Sequence, residues 1–409
     1  MRVIVINTGT EILLGDVLNT HLTFIAREIF PLRLRVERQL AVPDGLAIRD
    51  ALSENFEKAD LIFVTGGLGP TTDDITREIT AELLGLELAA DPELEASITQ
   101  RLTTRGIRLT DRILRQAQVP RGAQVLPNDN GSAPGFYLAA GRNGASTTPH
   151  IFLLPGPPRE LQPMFIQSVL PILRGIVRQT ETFACWSYRI VGMGESYVEE
   201  AVGVQLLALP GLELGYCARM GEVDLRLIGS PEVLVQADAI VRSKLAASIF
   251  STASEDLETV IVRQLAEQNA TLAVAESCTG GFLAHRLTNV PGASNVFLAG
   301  YVTYSNEAKI SALGVSPELI AEHGAVSEAV ARAMAAGARG RCEATFALAT
   351  TGIAGPGGGT EAKPVGTAFV ALAGGGATIA RHFFFPTDRE TFKQLATQMA
   401  LNLLRERLA

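Results

Sequence analysis

The chain of 409 residues carries 35 Lys+Arg against 43 Asp+Glu, a formal charge of −8, with 47% hydrophobic and 19% charged residues. At roughly 100–200 residues per domain this predicts two or three domains, with the balance of a folded globular enzyme rather than a disordered chain. An acidic chain without a Lys/Arg block lacks the footprint of a general nucleic-acid binder, and no apolar run reaches the ~18 residues of a membrane-spanning helix. Arg33, Arg35 and Arg38 form the densest basic stretch, and their Leu/Val alternation reads as a solvated strand face. The apolar start at Met1–Asn7 is short for a signal peptide and reads as a first strand. The four cysteines show no CxxC spacing and the five histidines no HxxxH pair. Disulfide frameworks and His/Cys metal sites are therefore not expected, and a reducing cytoplasm is.

In chain order, residues 1–175 alternate strand and helix signals. Arg2–Asn7 is a strand ending in Thr8-Gly9-Thr10, followed by a helical pattern over Asn19–Phe30. Asp60–Thr65 is a buried strand running into Gly66-Gly67-Leu68-Gly69-Pro70, and a helix is predicted over Thr72–Leu84. His150–Leu154 is a third strand ending in Pro155-Gly156-Pro157-Pro158. Continuous apolar strands separated by helices predict a doubly wound, mostly parallel α/β sheet, whose ligands bind beyond the carboxyl ends of the strands.

Residues 180–250 predict a compact α+β unit: a strand over Thr182–Val191, a helix over Glu195–Leu207, strands at Glu213–Cys217 and Glu222–Gly229, and a helix over Pro231–Ile249. No chemistry is visible in it, and Gly192-Met193-Gly194 is a loop signal rather than a nucleic-acid clamp. After a junction at Ser251–Ser254, α/β alternation returns. A helix over Leu257–Gln268 leads to a strand at Leu272–Ala275, then strands at Val296–Tyr304, Ala344–Ala349, Val365–Ala373 and Ala377–Phe385, and a closing helix from Asp388.

Three turns carry chemistry. Thr65–Asp74, Thr-Gly-Gly-Leu-Gly-Pro-Thr-Thr-Asp-Asp, offers backbone N–H groups to an anion, with Asp73 and Asp74 able to hold a hydrated divalent cation. The alternative is a tight turn with the two acids capping the next helix. Glu276-Ser277-Cys278-Thr279-Gly280-Gly281 sets two nucleophiles at a helix start, against the alternative of a simple N-cap. Tyr304–Lys309 adds a lysine beyond a strand end, where desolvation makes an amine a base. The Thr350–Gly359 run lacks the Gly-Lys-Ser/Thr of a Walker loop yet presents many N–H groups. His285 falls in an apolar helical pattern and His323 ends a helix beside Gly324, so neither reads as a triad member.

Together these motifs resemble the CinA family (competence/damage-inducible protein A) over almost the whole chain. Gly9-Thr10-Glu11, Thr65–Asp74, Pro127-Asn128…Gly131 and Leu154-Pro155-Gly156-Pro157-Pro158…Glu160 are similar to a MoaB/MogA-type molybdopterin-binding domain. Ala275–Gly281, Tyr304-Ser305-Asn306…Lys309, Thr351–Pro356 and Phe385–Arg389 are similar to a PncC-type nicotinamide-mononucleotide (NMN) amidohydrolase. His21, Arg112-Ile113 and Pro157 depart from the front-domain pattern.

The resemblance implies three domains: 1–175 MoaB/MogA-like, 176–253 KH-like and 254–409 the deamidase. It implies that Ser277 is the nucleophile and Lys309 the base, with Tyr304, Thr351 and Ser294 as supporting polar groups. Thr279, Gly280, Gly281, Gly352, Gly355 and Arg389 are the implied substrate contacts, and no cofactor is expected there. In front it implies metal-dependent ADP-ribose pyrophosphatase activity, with Glu11, Gly66, Gly67, Gly69, Thr71, Asn128, Gly156 and Glu160 around the nucleotide and a divalent metal at Asp73 and Asp74. Expected partners are the small nucleotides NMN and ADP-ribose, with no nucleic acid, no membrane and a homodimer as the default. The rival readings are a nucleotide- or molybdopterin-binding module without turnover, and a competence scaffold.

Overall fold

The computed structural model describes residues 1–104, 106, 108–143, 146–177 and 183–409. The chain divides into two compact units, Met1–Glu181 and Thr182–Ala409. In the first, six strands form one sheet: β1 (Arg2–Thr8), β2 (Arg35–Val42), β3 (Leu61–Thr65), β4 (Gln124–Leu126), β5 (Gly135–Leu138) and β6 (His150–Leu154). Their order is β2-β1-β3-β6-β5-β4. The first four are mutually parallel, whereas β5 is antiparallel to both its neighbours and β4 points again with the first four, so the sheet is mixed at one edge.

Alternation along β1 and β3 explains why both faces are covered. Val3, Val5, Leu61 and Phe63 join Ile25 and Ile29 of α1 (His21–Ile29) in one core. Ile4, Ile6, Ile62 and Val64 pack on the other face against α2 (Ala47–Ser53) and α3 (Thr76–Leu84) through Ile48, Leu52 and Ile79. Two-sided burial of this kind needs near-continuous apolar strands, which is what the sequence shows.

Two local expectations are corrected. Arg33 is not on the strand face: at φ 62° it closes the turn after Phe30–Leu32, while Arg35 and Arg38 lie exposed on edge strand β2. The helix expected from Thr72 begins at Thr76, with no side-chain cap. Thr76 N donates to Gly67 O (3.0 Å) and Thr76 Oγ1 to Gly66 O (3.0 Å), pinning the helix start to the glycine turn.

The second unit opens with β7 (Ala184–Val191), α4 (Glu195–Leu207), β8 (Glu213–Arg219), β9 (Glu222–Gly229), α5 (Pro231–Leu245) and β10 (Ile249–Ser251), the strands ordered β8-β9-β7-β10. The start of the first strand as read from the sequence, at Thr182, lies outside the described residues. This segment has its own core around Tyr188, Val198, Leu225 and Leu234. It does not form a third compact unit, because Val191 and Phe250 enter the core of the following segment.

That segment comprises α6 (Leu257–Glu267), β11 (Leu272–Glu276), α7 (Phe282–Thr288), β12 (Phe297–Val302), α8 (Asn306–Leu313), α9 (Pro317–His323), α10 (Glu328–Cys342), β13 (Phe346–Gly352), β14 (Thr367–Ala373), β15 (Ile379–Phe384) and α11 (Arg389–Leu408). The sheet order is β12-β11-β13-β14-β15, with the first three parallel, β14 antiparallel to both its neighbours and β15 pointing again with the first three. Among the described residues no helix is long and apolar enough to cross a membrane.

Arg189 on β7 joins the two segments of this unit. Its buried guanidinium contacts Glu222, Asp224 at 3.4 Å and Asp256 at 2.6 Å, and donates to Glu255 O (2.9 Å). Removing the arginine leaves Glu222 buried without its cation, at about 3–5 kcal/mol, whereas Asp224 keeps Arg219 (2.6 Å) and Asp256 is exposed to water. Arg189→Met is therefore expected to lower unfolding free energy by about that amount in urea titration, and a loss under ~1 kcal/mol would show the cluster to be dispensable.

Candidate functional sites

The strand ends β11, β12 and β13 build the second unit's site. Ser277 N donates to Thr350 O (2.9 Å) and Thr303 N to Glu276 O (2.8 Å), so the three chains are stitched together just where the ladder stops. The buried Glu276 carboxylate then shapes the turn. Its Oε2 accepts from Thr279 Oγ1 (2.7 Å), Gly281 N and Leu283 N (both 3.0 Å), and its Oε1 from Ala284 N (2.8 Å). A carboxylate at the start of α7 satisfies N–H groups the helix leaves unpaired and complements its dipole. Gly280 and Gly281, at φ 61° and 95°, let the chain turn into that geometry.

Side chains alternate through this turn. Glu276 and Cys278 are buried inward, Cys278 among Phe392, Ala368 and Ala396. Ser277 is turned the other way, where Lys309 of α8 meets it. Ser305 Oγ caps α8 by accepting from Ala308 N (3.1 Å), and this sets Lys309 one turn in. Lys309 is 1% exposed, and its Nζ lies 3.0 Å from Ser277 Oγ, 2.9 Å from Thr303 O and 3.2 Å from Tyr304 O. Burial holds its pKa below the ordinary lysine value. A neutral amine has two N–H groups and one lone pair; with two carbonyls taking the N–H groups, the lone pair faces the serine hydroxyl. Among the described residues, the Cys278 N–H has no acceptor on another residue, leaving it for an oxyanion.

The other expected residues divide. Tyr304 is exposed, and its hydroxyl accepts from Arg389 Nη2 (2.8 Å), while Arg389 Nη1 donates to Gly355 O (2.8 Å). These three form a rim beside the Ser277/Lys309 pair. Thr351 donates its hydroxyl proton to Ala325 O (2.9 Å) and ties β13 to the turn before α10. Thr279 is fully buried between Glu276 and Thr350 (2.7 Å), so it holds the turn and does not face a substrate. Gly352 serves packing: a Cβ there would lie 2.8 Å from the Phe392 ring.

Ser294 does not join the group. It sits in the 3₁₀ turn before β12, where Leu272 N meets Val296 O, at the amino ends of strands whose carboxyl ends carry Ser277. Five residues at ~3.3 Å each put it about 17 Å away. His285 is exposed and bonded to Asn289 (3.1 Å), and His323 closes α9 beside Glu322 (3.6 Å), so neither serves the serine.

In the first unit, a cavity of about 380 Å³ lies beyond the carboxyl ends of β1, β3 and β6. It gathers Glu11, Gly66, Gly67, Gly69, Thr71, Asp73, Asp74, Gly156 and Glu160. Asn128 stands behind them, donating to Glu160 Oε2 (2.8 Å) and Ala133 O (2.7 Å). Gly66 is required at φ 102°, since a Cβ would meet Thr8 O at 2.7 Å. His21 is buried under this edge, its Nδ1 3.2 Å from Thr65 Oγ1, and burial lowers its pKa. Sequence reasoning missed Thr8, Asp44 and Gln116 in the lining; Gln116 carries no motif to reveal it.

Asp73 and Asp74 do not cap a helix. Thr71 Oγ1 lies between the two carboxylates with one proton to give, Thr71 N donates to Asp74 Oδ2 (2.9 Å), and the hydroxyl's bond to Asp73 Oδ1 (2.5 Å) holds the Asp73 carboxyl below its ordinary pKa. Among the described residues no three His, Cys, Asp or Glu side chains converge as a metal cage. The pair fits a Mg²⁺-like ion completed by ligand phosphates and water rather than an all-protein site.

An α/β protein with a serine/lysine site at one sheet edge and a glycine-walled pocket at another is what the geometry defines. Residues 254–408 match the family model "CinA C-terminal domain" and residues 4–175 that of a "Probable molybdopterin binding domain". A CinA-like protein of Akkermansia muciniphila is 44% identical over 98% of this chain and 96% of its own length. A protein of Moorella thermoacetica named for competence-damage inducibility is 44% identical over 99% and 98%. A solved CinA superfamily protein of Escherichia coli is 37% identical, covering 37% of this chain and 88% of its own, with a TM-score of 0.36. The chain belongs to the CinA family.

Two outcomes follow from the turn. The Cys278 thiol is pushed up to about 12 by burial and is protonated at neutral pH. Cys278→Ala is expected to keep turnover within tenfold of wild type, with iodoacetamide inhibiting slowly; a folded variant more than 100-fold slower would make the cysteine catalytic. Glu276→Gln sets an NH₂ against N–H donors, an uncompensated arrangement costing about 1–3 kcal/mol. Calorimetric melting should register that loss, and an unchanged midpoint would refute the carboxylate's role in the turn.

Proposed function

We propose that the second unit hydrolyses the carboxamide of NMN to nicotinate mononucleotide and ammonia. The observation that carries this reading is the buried Lys309 amine 3.0 Å from Ser277 Oγ with two carbonyls on its N–H groups. In this reading Ser277 Oγ attacks the amide carbon as Lys309 Nζ takes the hydroxyl proton. The oxyanion turns to the Cys278 N–H. Lys309 then gives the proton to the leaving nitrogen, ammonia departs, and water, deprotonated by the same amine, releases the acyl group from the serine. Arg389, held by Gly355 O and Tyr304, supplies a cation for the substrate phosphate.

A second reading concerns the first unit, where the glycine-walled cavity favours a nucleotide pyrophosphate and hence ADP-ribose cleavage. Asp73 and Asp74 would hold a divalent cation there, which supplies charge neutralisation for the phosphates.

Ammonia release from NMN tests the first reading. Ser277→Ala and Lys309→Met should each lower kcat/KM more than 100-fold, about 2.7 kcal/mol of barrier, and the double variant should be scarcely worse. Lys309→Arg should fail as well, because a guanidinium stays protonated at working pH. Since burial lowers the Lys309 pKa, its neutral form, and the rate with it, should grow as pH rises through an ionisation below that of free lysine. Near-normal activity of Lys309→Arg would end the lysine-base mechanism.

A further inference from the structure

Lys393 is a cation without an anion. It stands on α11 one turn after Arg389, half-buried, and among the described residues no hydrogen-bond or ion-pair partner reaches it. Residues at this spacing share a helix face, and both side chains line one cavity of about 400 Å³, whose other walls are Phe282, Glu390 and Gln394. Phe282 opens α7, just past the turn that carries Ser277. Arg389 donates to the hydroxyl of Tyr304, the residue whose carbonyl meets Lys309 Nζ. The cavity is thus bounded by both segments that present the catalytic pair. Like charges on neighbouring turns repel. Tyr304 Oη and Gly355 O engage Arg389 but, being neutral, leave its charge unbalanced. Glu390, the acid of the lining, is exposed to water and forms an ion pair with neither cation. What the pair lacks is an anion.

We infer that this cavity is the phosphate subsite of the amide hydrolase, and that Lys393 is the residue that makes the second unit prefer a phosphorylated amide to its dephosphorylated form. A phosphate monoester carries about −1.5 to −2 charges near pH 7, which two cations match and one would leave half balanced. Arg389 offers N–H groups in a fixed fork, and Lys393 adds a point charge beside it. Phe282 supplies an apolar wall that keeps water off one side and strengthens both attractions. The amide end of the substrate is left to Ser277 and Lys309. The inference rests on the deamidase reading and adds to it the residue that sets specificity.

Ammonia release by the full chain from NMN and from nicotinamide riboside, its dephosphorylated form, tests the assignment. Wild type should favour NMN by about 100-fold or more in kcat/KM. Lys393→Met should raise the KM for NMN about tenfold while kcat stays within about threefold, and the riboside should show no matching loss, so the preference narrows about tenfold. Lys393→Arg, which keeps the charge, should restore most of that preference. Equal losses on both substrates would mean a structural role and overturn the proposal. So would an unchanged KM for NMN in Lys393→Met, or a wild type without preference. Should wild type release no ammonia from either compound, the deamidase reading falls, and calorimetric titration with nicotinate mononucleotide decides the subsite. Binding weakened about tenfold in Lys393→Met would uphold it, and binding indifferent to Lys393 would end it.

Discussion

A lysine amine enclosed by two backbone carbonyls and a serine hydroxyl is the constraint around which the second unit is arranged. Thr303 O, Tyr304 O and Ser277 Oγ give its Nζ three polar neighbours, enough for either protonation state, and burial at 1% exposure is what disfavours the charge. When the amine is neutral, the two carbonyls take its N–H groups and its lone pair faces Ser277 Oγ. Burial distinguishes this lysine from an ordinary solvated one beyond a strand end.

The carbonyls that hold the lysine come from the chain just past β12, and Thr303 is itself fixed by Glu276 O. Glu276 therefore acts twice: its backbone positions the lysine's cage, and its carboxylate organises the turn that presents Ser277. Thr279 and Thr350 complete the buried network, each with its hydroxyl engaged. A network of this kind is rigid where its members are satisfied; the hydroxyl of Thr303, whose carbonyl holds the lysine, is the member left without a partner among the described residues.

Much of this was readable from the residues because strand ends followed by glycines are strongly marked. Val3–Ile6, Leu61–Val64 and Leu272–Ala275 are too apolar for half-exposed strands, and the glycines after β3 and β11 announce turns needing left-handed backbone. Ser277 and Lys309 could be paired through a family resemblance, although 32 positions apart. What could not be read was side-chain direction. Thr279 shares the motif with Ser277 but faces the core, and Gly352 sits in a glycine-rich run for the sake of the Phe392 ring. Ser294 failed for a topological reason: in a parallel pair, residues before one strand and after its neighbour lie at opposite edges. Gln116 lies in a short 3₁₀ turn, Arg115–Ala117, where no local pattern marks a glutamine that its bond to Leu68, 48 residues away, holds in the cavity lining.

The choice between the adjacent nucleophiles follows from the same directional argument. Strand alternation carried two residues past β11 sends Glu276 and Cys278 to one side and Ser277 to the other. The side receiving Glu276 must be buried, since four donors converge on that carboxylate. Cys278 is then committed to the apolar cluster with Phe392, where burial keeps it a thiol. A more nucleophilic atom is thereby withheld, and the weaker hydroxyl is placed where a base can reach it. Intrinsic reactivity loses to position here, and the carboxylate of Glu276, which touches neither the serine hydroxyl nor the lysine amine, decides the outcome.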